Sequence, residues 1–87
     1  MAKYTLCLSK KVQVALDALS DHIVAPILAA IERLGNNPHP AGCKKLSGRS
    51  GYRIRVGNYR VIYTIEDNQL TVTVIAIGHR KDVYRIR

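Results

Sequence analysis

Four arginines stand where a folded sheet would more readily carry neutral side chains: Arg53, Arg55 and Arg60 in the run 52–63, and Arg80 in the run 78–84. Strict alternation in Arg53-Ile54-Arg55-Val56 sends the arginines to one face of a strand and the aliphatics to the other. Gly57-Asn58 between two β-rich runs predicts a two-residue hairpin turn. With that loop, Val56 lies opposite Tyr59, and Arg55 lies directly opposite Arg60. Like charges so placed repel, and the arrangement makes sense if an anion belongs between them. A phosphodiester is the natural candidate. Guanidinium groups grip phosphate oxygens bidentately and stay charged, which suits them to hold a phosphate and to stabilise a pentacoordinate transition state. His79 is the one neighbour whose ordinary pKa, ~6.5, permits proton transfer in either direction near neutrality. Tyr84 can stack on a base or donate through its hydroxyl.

The sequence contains no carboxylate cluster and no Cys/His ligand set, so a metal-dependent nuclease is not expected and no cofactor is implied. It also has no phosphate-binding glycine loop and no Ser/His/Asp constellation. Alternating arginine on one strand is commonly a solvated face, and a lone loop histidine is commonly a surface residue. Three arginines on facing strands beside His79-Arg80-Lys81 weigh against that blander reading. Lys44, Lys45, Arg49 and Lys81 would extend an RNA-binding rim around Arg53 and Arg55, although loop lysines are ordinarily solvated. Tyr52, Tyr59 and Tyr63 read as packing residues.

These groups need a scaffold, and the rest of the chain supplies one. Residues 3–8 alternate, with Tyr4, Leu6 and Leu8 on one side, predicting a strand. Ser9 is placed to cap a helix over 10–19 whose stripe is Val12, Ala15, Leu16 and Leu19. Asp21 is placed to cap a second helix with the stripe Ile23, Ile27, Ala30, Ile31 and Leu34, closed by Gly35. Pro26 predicts either a delayed start or a distorted first turn. Residues 36–50 read as loop. Strands follow at 52–56, 59–66 and 69–77, with Asp67-Asn68 as the second tight turn. One face of this meander would carry Ile54, Val56, Tyr59, Val61, Tyr63, Ile65, Leu70, Val72, Val74 and Ala76, and the helices would cover it. The other would carry Arg53, Arg55, Arg60, Thr64, Thr71 and Thr73, with Ile62, Ile75 and Ile77 among them. Three isoleucines are odd on such a face, and residues 84–87 or a protein partner would explain them by packing over it. The third strand is expected to leave the sheet at Gly78, so that His79 and Arg80 emerge beside the Arg55–Arg60 pair. The fold class is α+β: an N-terminal strand, a two-helix hairpin, then a three-stranded antiparallel meander, in a single domain over residues 1–87.

Apolar residues make up 47% of the 87 positions, enough for a packed core and too many for a disordered basic tail. The net charge of +8, with ten of the fourteen Lys and Arg after residue 43, calls for an anionic partner. No apolar run approaches the ~20 residues that span a bilayer, so no membrane partner and a cytoplasmic location are expected. Cys7 and Cys43 lack ligand spacing and read as reduced thiols.

The segment Lys44-Lys45-Leu46-Ser47-Gly48, the run from Tyr52 through Gly57-Asn58-Tyr59-Arg60 to Tyr63, and the ending Gly78-His79-Arg80-Lys81-Asp82-Val83-Tyr84 together resemble the RelE/ParE toxin superfamily, on its RelE side. The likeness covers nearly the whole chain, with three motifs in the right order. It implies a toxin of a type II toxin–antitoxin module: a ribosome-dependent, metal-independent endoribonuclease that cleaves mRNA in the decoding site. It further implies neutralisation by a cognate antitoxin, and contact with operator DNA only through the antitoxin complex. Carried across, the family's phosphate-stabilising arginine falls on Arg60, its general-acid arginine on Arg80 and its base-stacking tyrosine on Tyr84. The family's two strand lysines fall on Arg53 and Arg55. Arginine does not deprotonate at working pH, so the general base passes to His79. The alternative on the same scaffold is a ParE-like toxin that inhibits DNA gyrase without nuclease activity.

Overall fold

The computed structural model describes residues 3–79. Strand β1 (Thr5–Leu8) leads into helices α1 (Lys10–Asp17) and α2 (Asp21–Asn36), followed by strands β2 (Lys44–Lys45), β3 (Tyr52–Val56), β4 (Tyr59–Glu66) and β5 (Thr71–His79). The five strands form one sheet in the order β1-β5-β4-β3-β2. All neighbours are antiparallel except β1, which crosses over through the helices to lie parallel to β5. The expected α+β arrangement is present, with two additions. The first strand takes the β5 edge, and a two-residue strand, β2, emerges from what the sequence presents as loop. Two residues show no periodicity; β2 exists only because β3 offers a free edge for pairing.

Ser9 caps α1, its Oγ accepting from the Val12 amide at 3.2 Å. The helix stops at Asp17 rather than Leu19, where the Ala18 and Leu19 amides turn back to the Ala15 and Leu16 carbonyls. Ser20 holds the N-cap position of α2, one residue earlier than expected and without a side-chain capping bond, which leaves Asp21 in the first turn near the positive end of the helix dipole. The helix runs through Pro26, whose missing N–H removes the bond to the His22 carbonyl without ending the helix. It also runs through Gly35, which is buried inside the helix rather than closing it. The Gly35 carbonyl accepts from both the Lys3 and Tyr4 amides (2.9 and 2.8 Å).

Val12 and Leu16 of α1 and Ile27, Ile31 and Leu34 of α2 pack on Ile54, Val61, Tyr63, Val72 and Val74 of the sheet. The register departs from simple alternation at one place. Ile62 pairs with Ala76 while Tyr63 pairs with Val74, so Ile75 is an extra residue in β5. Beyond this bulge every β5 side chain changes face. Ile77 therefore joins the helix-covered core opposite Val61, and Ala76 moves to the arginine face, the reverse of the sequence expectation. Ile62 stays on the arginine face and is buried there; residues 84–87, expected as its cover, lie outside the described residues. Leu70 is also corrected. The β4–β5 connection is a 3₁₀ turn at Asp67–Gln69, and Leu70 follows it with a left-handed φ of 48° and 53% exposure, so it is no core residue. Cys7 and Cys43 are both free thiols.

Candidate functional site

Strand pairing brings four of the expected basic residues onto one face. Arg55 lies directly opposite Arg60, and Lys44 directly opposite Arg53. The two rows are two residues apart along β3, about 7 Å. Lys44 and Arg55 are exposed, Arg53 is half-buried, and Arg60 is only 3% exposed. That last value decides how the site is read. A guanidinium cannot shed its proton to escape burial, so a permanent cation is held inside the sheet surface next to a second one. Across the sheet from Arg60 stands Gly78, which contributes no side chain.

Two depressions flank Arg55. One is a niche of about 40 Å³ lined by Arg55, Gly57, Asn58, Tyr59 and Arg60. The other is a cleft of about 310 Å³ between Lys44, Arg53 and Arg55 on one side and Ala41-Gly42 on the other. The loop that carries Ala41 and Gly42 is anchored from below. The Tyr63 hydroxyl donates to the Pro38 carbonyl at 2.7 Å, and the His39 ring meets Tyr52 edge-on at 5.1 Å. Tyr52 in turn stacks on Tyr63. Burial, with Cys43 nearby, pushes the Tyr63 hydroxyl far above the ordinary phenol range. Sequence reasoning missed this loop wall. Its signal was a tyrosine in the middle of a core-facing strand, since a buried phenol needs an acceptor. Gly51 completes the base of the cleft-bearing strand pair. Its φ is +124°, and a Cβ there would come within 3.1 Å of the Tyr63 carbonyl oxygen.

The other expected residues are placed differently. His79 does not emerge from a loop beside the arginines. It is the last residue of β5, paired with Tyr59, and strand alternation sets its ring on the helix-bearing face. There it meets Tyr59 edge-to-face, with centroids 5.7 Å apart. The cause is the bulge at Ile75, which reverses the parity of everything after it. Lys45, paired with Tyr52, points away from Lys44, and Arg49 sits exposed in the turn between β2 and β3. Arg80, Lys81 and Tyr84 lie outside the described residues. Among the described residues, no helix is long and apolar enough to cross a membrane, and no group of three His, Cys, Asp or Glu is placed to hold a metal ion.

A family model described as the ParE toxin of type II toxin–antitoxin systems matches residues 6–84. The chain belongs to this toxin family. Within it, the similar proteins carry RelE-type names. Toxin RelG of Mycobacterium tuberculosis is 41% identical over 34 residues, 39% of either chain. A putative RelE-like toxin protein of Escherichia coli is 32% identical over 60 residues, 64% of this chain and 63% of its own. These matches thus span less than two thirds of either curated relative. The archaeal RelE in the RelE–RelB complex from Pyrococcus horikoshii superposes with a TM-score of 0.80 at 27% identity, covering 90% of this chain and 96% of that one. The toxin is therefore RelE-like in fold, and that relative was solved bound to RelB.

Proposed function

We propose that this toxin is a ribosome-dependent endoribonuclease that cleaves mRNA in the decoding site and so stops translation. The observation that carries this reading is Arg60, a buried guanidinium directly opposite Arg55 on the rim of a small niche. In the reaction, the 2′-oxygen of one nucleotide attacks the adjacent phosphorus as it loses its proton to water. The bond from phosphorus to the 5′-oxygen breaks, that oxygen takes up a proton, and the products are a cyclic phosphate and a 5′-hydroxyl. Arg60 holds the non-bridging oxygens, where negative charge grows in the transition state. Arg53 and Arg55 carry the flanking backbone, while Lys44, Lys45, Arg49 and Lys81 add a basic rim. Arg80, at the family's general-acid position, donates a hydrogen bond to the leaving 5′-oxygen while water supplies its proton, and Tyr84 stacks a base. A cognate antitoxin neutralises the toxin, and operator DNA is met only through that complex.

The position of His79 moves the proton-transfer argument. A ring on the face opposite Arg60 is badly placed to take a proton from a 2′-hydroxyl held by Arg60. His79→Gln is accordingly expected to retain single-turnover cleavage within about fivefold, with transition-state stabilisation by guanidinium groups supplying most of the rate. A loss of 10² or more would return the base role to His79.

The ParE description of the matching family model favours one second reading, inhibition of DNA gyrase without RNA cleavage. Induction in growing cells separates the two. Early arrest of protein synthesis with cleaved mRNA is the expected result; early arrest of DNA replication with intact mRNA would overturn the nuclease.

A further inference from the structure

The tip of the β3–β4 hairpin has a depression on each side. The arginine side holds the niche already described. On the helix side, an apolar groove of about 330 Å³ opens between the start of α2 and the hairpin. Gly57, Asn58 and Tyr59 line both depressions, one on each side of the turn. Ile23, Pro26 and Val56 give the groove an aliphatic lining, and Tyr59, braced edge-to-face by His79, gives it an aromatic one. Its polar members are the Asn58 amide and His22, whose ring approaches Ser20 Oγ at 3.2 Å. The His22 carbonyl adds an acceptor that the helix ladder does not use in its usual bond, because Pro26 has no N–H to offer it.

We infer that this groove is a nucleobase subsite. It would take the base of a ribonucleotide whose phosphate rests in the Arg55–Arg60 niche. This inference rests on the proposed RNA substrate and adds to it. A flat ring with a polar edge matches a groove that has aliphatic and aromatic walls and amide and imidazole groups at its rim. The volume lies at the low end for ligand sites, enough for a single base and too little for a docked helix. The adjoining arginines favour an occupant that brings a phosphate with it. Asn58 and His22 are then the residues that would discriminate among bases, since they can address a hydrogen-bonding edge.

The test uses full-length toxin and small probes: the four ribonucleoside monophosphates and ribose 5-phosphate, titrated by NMR. The quantity read is the affinity ratio of nucleotide to sugar phosphate for each protein, which cancels any loss of folded fraction. Stacking of one base predicts a ratio on the order of five- to a hundredfold in the native toxin. Tyr59→Ala and Ile23→Ser should each bring that ratio towards one, whereas Arg60→Ala should weaken every probe together. A native ratio of one, or a ratio that survives both groove variants, overturns the subsite. The outcome is separable from the nuclease reading. A toxin that cleaves mRNA with a ratio of one loses the groove alone. A toxin that arrests replication yet keeps a variant-sensitive ratio loses only the nuclease.

Discussion

Arg60→Ala is expected to lower mRNA cleavage by on the order of 10² to 10³ and to abolish growth arrest at equal expression. Arg60 is 3% exposed and paired across the sheet with Arg55 on one side and Gly78 on the other. Two guanidinium groups held side by side present a preformed fork to a phosphate seated between them. An interaction that strengthens as charge develops on the phosphoryl oxygens acts on the rate more than on binding, so kcat should fall further than KM rises. Arg60→Lys sharpens the test: it keeps the charge, lacks the planar fork, and should recover only part of the activity. Thermal melts establish that each variant is folded. A folded Arg60→Ala toxin that still arrests growth would show that the niche is not where the phosphate is held.

Tyr63→Ala is expected to cost about 3 to 5 kcal/mol, the range for removing a fully buried aromatic side chain. Stability of order 5 to 15 kcal/mol for a domain leaves little after such a loss, so this variant should be largely unfolded near growth temperature. Tyr63→Phe isolates the hydroxyl. The ring stays in the core while the buried Pro38 carbonyl loses its 2.7 Å donor, a loss of about 1 to 3 kcal/mol. Because that contact anchors the loop bearing Ala41 and Gly42, cleavage by Tyr63→Phe should weaken through KM, with kcat nearly kept. The pH dependence supplies an independent reading. Burial holds the Tyr63 hydroxyl protonated well above the ordinary phenol pKa of ~10. A group raised in the folded state stabilises fully below its unfolded pKa, and this contribution declines as pH climbs above it. Wild-type toxin should therefore lose stability between pH 10 and higher values more steeply than Tyr63→Phe. Tyr4, also raised through its hydrogen bond to Asp67, contributes equally to both proteins and drops out of the comparison. Urea melts of the two proteins at neutral and alkaline pH measure the difference. Parallel pH profiles would remove the hydroxyl from the account of loop anchoring.

Much of this protein can be read along the chain. Ser9 and the aliphatic stripes specify two helices with one apolar face each, and alternation at 52–56 together with Gly57-Asn58 specifies the Arg55–Arg60 pairing that the structure contains. Those features depend on neighbours a few residues apart, where periodicity and turn chemistry are decisive. The burial of Arg60, the β2 edge, the parallel seat of β1 and the anchored loop wall depend on contacts between distant segments. The bulge at Ile75 shows the difference most sharply. Nothing in Val74-Ile75-Ala76 marks an extra residue, because apolar side chains suit either face. Only the competition between β4 pairing and core packing against α1 and α2 selects the bulge. That single residue carries Ile77 into the core and His79 away from the arginines, and so decides which side chains can meet a phosphate.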